Sequence, residues 1–128
     1  MSADDPKFPT PSDRTYASVS LSTAANGQSD AITLTGRRPA AIQLSTAWTA
    51  AHLGFQGSVD GGTTFAPLYN SDGTRLQHTV AASRLIGFDS APFAGLTHLK
   101  LVSESTAGAA VAQGAARTLK VGLTAGSG

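Results

Sequence analysis

Apolar and polar residues alternate in short runs along most of the chain, and the alternation is densest in Leu53-Gly54-Phe55-Gln56-Gly57-Ser58-Val59. Leu53, Phe55 and Val59 fall on one face there, opposite His52, Gln56 and Ser58, which is the period of a half-buried strand. The turn Asp60-Gly61-Gly62 follows, then a second run from Thr64 to Tyr69, and the pair predicts a β-hairpin. Glycines at the turn take positive φ at little steric cost.

The same period recurs on both sides of this hairpin. Ala17, Val19 and Leu21 alternate with Ser18 and Ser20, and Ile32 and Leu34 with Thr33 and Thr35. Ala41 to Ser45, Leu76 to Val80 and Arg84 to Phe88 supply three more strand candidates. Near the end, Leu99 and Leu101 point away from His98 and Lys100, while Leu119, Val121 and Leu123 point away from Thr118 and Lys120. Turn signals separate the runs, including Asn26-Gly27 and Asn70-Ser71-Asp72-Gly73, where Asp72 and Gly73 carry the turn chemistry. Many short strands at this spacing predict an all-β fold, an antiparallel β-sandwich. Its core is expected to hold Trp48, Leu53, Phe55, Val59, Leu99, Leu101, Leu119 and Val121.

Residues 1–14 read differently. Pro6, Pro9 and Pro11 remove backbone donors, and Phe8 is the one large apolar side chain, so an extended N-terminal arm is expected with Phe8 as its anchor on a neighbouring surface. The sandwich is expected over 15–124 and a flexible C-terminal tail over 125–128. Thr46–Ala51 and Ala91–Gly95 read as loops or short helical turns closing an open end, with Trp48 as a core plug. The uncharged stretch Thr106–Ala116 is either a flexible loop or a contact between subunits.

Composition narrows what such a fold does. With 128 residues, one domain burying roughly two-thirds of its unfolded surface is expected. Ala, Gly, Ser and Thr dominate and Glu occurs once, as Glu104, so few helices form and each buried side chain contributes little area. Lateral contacts with other subunits would add to that stability. Charged residues are 13% and the net charge is +1, which gives no field to attract nucleic acid or anionic lipid. No apolar run approaches the roughly 20 residues needed to cross a bilayer, and Met1–Pro6 lacks the pattern of a secretory leader.

The catalytic inventory is thin. The absence of cysteine removes disulfides, thiolate metal sites and thiol nucleophiles. His52, His78 and His98 lack metal-ligand spacing and read as surface or interface residues. No Gly-x-Ser-x-Gly elbow is present, and Asp30, Asp60 and Asp72 adjoin turns without an EF-hand loop pattern. No catalytic residue, cofactor or metal is expected. Arg37-Arg38, between Gly36 and Pro39, reads as a solvated turn, with contact to an acidic partner surface as the sharper alternative.

The run Ala47–Gln56, then Ser58-Val59-Asp60-Gly61-Gly62-Thr63-Thr64-Phe65, Leu68-Tyr69 and Asp72-Gly73, resembles small virion proteins of tailed phages and gene-transfer-agent particles. Ala82-Ser83-Arg84, Phe93–Leu96, Leu99–Leu101 and Ala112–Leu119 extend the likeness over residues 40–123. It implies a capsid decoration, head-spike or fibre-base protein, a homo-oligomer around a symmetry axis on the particle surface, assembled in the host cytoplasm. Its implied partners are capsid or other virion proteins. Ser58-Val59-Asp60-Gly61 followed by Phe65 is also similar to a hairpin of jelly-roll carbohydrate-binding modules, which implies a jelly-roll sandwich and, as the alternative function, host-glycan attachment.

Overall fold

The computed structural model describes residues 14–21 and 27–125. Among the described residues nine strands follow one another: β1 (Arg14–Leu21), β2 (Ile32–Thr33), β3 (Arg37–Gln43), β4 (His52–Ser58), β5 (Ala66–Pro67), β6 (Gln77–Thr79), β7 (Leu85–Gly87), β8 (His98–Glu104) and β9 (Arg117–Ala125). β1 and β9 thus include Arg14 and Ala125, one residue each from the expected arm and tail. Phe8 and the rest of both segments lie outside the described residues.

Pairing is nested from the ends of the chain inward. β1 pairs with β9, β2 with β8, β3 with β7, and β4 with β5 and β6, all antiparallel. β3 also pairs with β9 and β4 with β8, giving one sheet ordered β1-β9-β3-β7 and another ordered β2-β8-β4-β5, with β6 beside β4. A long hairpin folded over on itself into two sheets is the jelly roll. The predicted all-β sandwich is therefore the observed fold.

Alternation places the core between the sheets. Leu119, Val121 and Leu123 from β9 meet Leu53 and Phe55 from β4 and Leu99 and Leu101 from β8, all buried, with Leu21, Ile42 and Phe93 among them. Two expected core positions differ. Val59 is 73% exposed, because β4 ends at Ser58 and the inner position after Phe55 is Gly57, over which Leu96 lies. Trp48 is half-buried against the rim of the core, its indole N–H donating to the Ala51 carbonyl at 3.3 Å. The plug is Phe93, carried by a 3-10 turn at Ala91–Phe93 and packed edge-on to Phe55 with centroids 5.0 Å apart.

The turns obey local chemistry. Ser58 donates to Asp60 Oδ1 at 2.7 Å, the same oxygen accepts the Thr64 N–H at 2.9 Å, and Gly61 and Gly62 take φ of 79° and 91°. Asp72 accepts the Thr74 N–H at 2.9 Å beside Gly73, φ 92°. Both carboxyls are held below their ordinary 3.8, Asp60 first by the Thr64 N–H and Asp72 first by the Thr74 hydroxyl. Arg37-Arg38 does not form a turn. Thr35 and Gly36 do, with φ of 51° and 76° and the Arg37 N–H donating to Leu34 at 3.0 Å, so both arginines begin β3 and are half-buried. Pro39, which lacks a donor, is placed where the β3–β9 register shifts.

Candidate functional site

The outward faces of the two sheets differ in what they leave available. On the five-stranded sheet the outward row of β8 is His98, Lys100, Val102 and Glu104, a parity that sequence alone assigns to solvent. Yet Val102 and Glu104 are buried. Arg75 folds over this end and grips the Glu104 carboxylate with two hydrogen bonds of 2.7 Å, while Gln77 donates to the same carboxylate and, at 2.8 Å, to the Ser105 carbonyl. Arg75 also donates to the Tyr69 hydroxyl at 3.2 Å. A Cβ at Gly54 would overlap the Glu104 carboxylate, so the glycine is what makes room for it. This cluster went unread in the sequence, and its one local signal is a glycine inside a strand, which marks close approach.

The stretch Thr106–Ala116 is tied down within the molecule. Ser103 donates to the Val111 carbonyl, and the Gln113 side chain both accepts from the Thr49 N–H at 2.7 Å and donates to the Thr49 carbonyl at 3.1 Å. Further along β8, Lys100 lies 4.5 Å from the centroid of Phe65. The polar groups on this side are largely occupied by one another.

The three histidines separate by face. His52 and His98 are half-buried on the outward side, His98 hydrogen-bonded to Thr97 at 3.1 Å. His78, expected at a surface or interface, is half-buried on the inward side against the core rings, 5.5 Å from Phe55 and 4.7 Å from Phe88, with Nε2 buried and unpartnered. Burial holds its pKa below the ordinary 6.5. Below pH 6.5 the unfolded chain therefore binds a proton that the folded chain resists, so stability is full above that pH and falls as pH drops toward the folded value. His78→Phe keeps an aromatic ring there without the ionisable group. Denaturant unfolding at about pH 7.5 and about pH 5.5 should show a smaller acid loss in the variant than in the parent.

The four-stranded sheet presents the open face. Its outward row pairs Tyr16 of β1 with Gly122 of β9, Gly122 with Ala41 of β3, and Ala41 with Gly87 of β7. The next row runs through Ser18, Lys120, Gln43 and Leu85. Tyr16 is 66% exposed and Leu85 68%, two large apolar side chains standing on either side of a shallow floor of Ala41 and Gly122, with Gln43 and Lys120 as its polar groups. Alternation with the half-buried Ala17 and Val19 sets Tyr16 outward, and the β3–β7 pairing puts Leu85 on the same face. Arg37 and Arg38 lie in β3 toward its other end, against Ala125 and Thr124.

Among the described residues no three His, Asp or Glu side chains gather where they could hold a metal ion, and no helix is long and apolar enough to cross a membrane. No family model matches the chain, and no curated protein matches it. Among solved structures the chain is similar to the crystal structure of the SPBc2 prophage-derived protein YomS, at 16% identity and a TM-score of 0.49, over 87% of this chain and 93% of that one.

Proposed function

We propose that the chain is a non-enzymatic structural protein of a phage-like particle, seated on the capsid or at the base of a head spike or fibre. The observation that carries a contact role is the outward face of the four-stranded sheet, where Tyr16 and Leu85 are left in water beside small residues. Exposed apolar groups rimmed by polar ones mark protein contacts. The particle setting comes from the likeness of residues 40–123 to small virion proteins, and the proline-rich arm with Phe8 adds a second attachment. Its place is then the particle surface, its partners capsid or other virion proteins.

Leu85→Lys tests the reading, because it charges the face without touching the core. Particles purified from producing cells should contain the parent chain and lose the variant, with the far-UV spectrum of the two chains identical. Particles lacking the parent chain, or holding both equally, would overturn it.

A glycan-binding role has one observation in its favour: the exposed Tyr16 ring stands near Gln43 and Lys120, an aromatic platform with polar groups beside it. Saturable glycan binding by the isolated chain, lost in Tyr16→Ala, would favour that function instead.

A further inference from the structure

We infer that β1 is a docking edge for β1 of a second copy, joining two four-stranded sheets into one across a twofold axis at Ala17. Sheet edges carry unpaired backbone N–H and C=O groups, and proteins guard them with short strands, prolines, charges or bulges. Four edges of this jelly roll are short: β2 and β5 have two residues each, β6 and β7 three each, and β5 contains Pro67. β1 has eight residues in unbroken register with β9. Leu21 is taken on the far side by a bridge to Ser29, and among the described residues nothing covers Arg14–Ser20. That segment holds no proline, glycine or lysine, and its one charge is Arg14.

The segment is complementary to itself. Paired residues in an antiparallel sheet share a face, so Arg14, Tyr16, Ser18 and Ser20 must meet their own set and Thr15, Ala17 and Val19 theirs. The register that satisfies this and uses the whole segment sets Ala17 opposite Ala17 of the partner subunit. Tyr16 then faces the partner's Ser18, and the two tyrosines become diagonal neighbours, about 7–8 Å apart and within reach of each other's rings. The two Arg14 charges fall at opposite ends of the pairing, about 20 Å apart at the strand rise and beyond the screening length. The chain's own residues 1–13 are a poorer occupant, since Pro6, Pro9 and Pro11 each withhold a ladder donor.

This deepens the structural-protein reading and rests on it only for its setting, because the test uses the isolated full chain. Sedimentation equilibrium should give twice the 12.9 kDa of one chain. The chain has no cysteine, so Ala17→Cys reports contact between copies alone, and mild oxidation should link it faster than Thr15→Cys or Val19→Cys. Tyr16→Lys with Ser18→Lys sets like charges across the axis on an exposed face, and should halve the mass with the far-UV spectrum unchanged. A single-chain mass for the parent, faster linking at 15 or 19, a doubled mass surviving both lysines, or a dimer lost only when residues 1–13 are removed would each sink the inference. A single-chain mass together with particles that still reject Leu85→Lys would leave the structural role standing and remove this edge.

Discussion

Arg75→Ala is expected to destabilise the fold by about 3–5 kcal/mol at neutral pH, far more than the loss of a surface ion pair. Glu104 is 1% exposed, while the Arg75 side chain is 18% exposed. Removing the arginine strands a carboxylate with Gln77 as its remaining side-chain donor, whereas removing the glutamate frees an arginine that reaches water. The cost follows the buried partner. Arg75→Ala should therefore be worse than Glu104→Ala, and replacing both by apolar residues should recover much of the loss.

The pH dependence separates this account from simple loss of packing. Burial pushes the Glu104 carboxyl up, and the hydrogen bonds from Arg75 and Gln77, with the charges of Arg75 and His52, outweigh it and hold the group below its ordinary 4.5. In the parent that stabilisation is present above pH 4.5 and is lost as pH falls through the folded value. Without Arg75 two of the lowering causes are gone and burial, the largest cause, is opposed by Gln77 and His52 alone, so the folded pKa rises from its value in the parent and the penalty, full at high pH, fades as acid neutralises the group. Urea unfolding of the two proteins should show a difference that narrows as pH falls. A difference under about 1 kcal/mol at neutral pH, or one that ignores pH, would contradict the buried-pair account.

Phe55→Ala should cost about 3–5 kcal/mol, and Val59→Ala no more than about 0.5 kcal/mol. Both positions share one face by strand periodicity. Phe55 is 1% exposed and lies among three rings, His78 at 5.5 Å, Phe88 at 6.1 Å and Phe93 at 5.0 Å, so its removal leaves a cavity between the sheets. Val59 stands 73% exposed beyond the end of its strand. Against the roughly 5–15 kcal/mol that holds a domain together, the first change shifts the unfolding midpoint strongly and the second leaves it in place. Comparable losses at the two sites would show that β4 continues inward past Ser58.

Residue by residue, the chain announces its strands, its turns and most of its core. Leu53, Phe55, Leu99, Leu101, Leu119 and Val121 are buried as their alternation requires, and Asp60-Gly61-Gly62 and Asp72-Gly73 turn because side chain and backbone within a few residues suffice to do it. Arg37-Arg38 was misleading, since the glycine before the pair and the proline after it suggested a loop where Gly36 closes a tight turn and Pro39 sits at a register shift. The choice of Phe93 over Trp48 as plug depends on which loop reaches the open end of the sandwich.

Alternation, then, assigns each side chain to one of two faces, because pleating is a property of a strand alone. What lies over a face is decided by segments distant in sequence. Glu104 stands in an outward row yet is gripped by Arg75, 29 residues away, and Tyr16 and Leu85 share an open face because β9 and β3 stand between their strands. Pairing order and loop placement are long-range, and only the assembled sheets settle them.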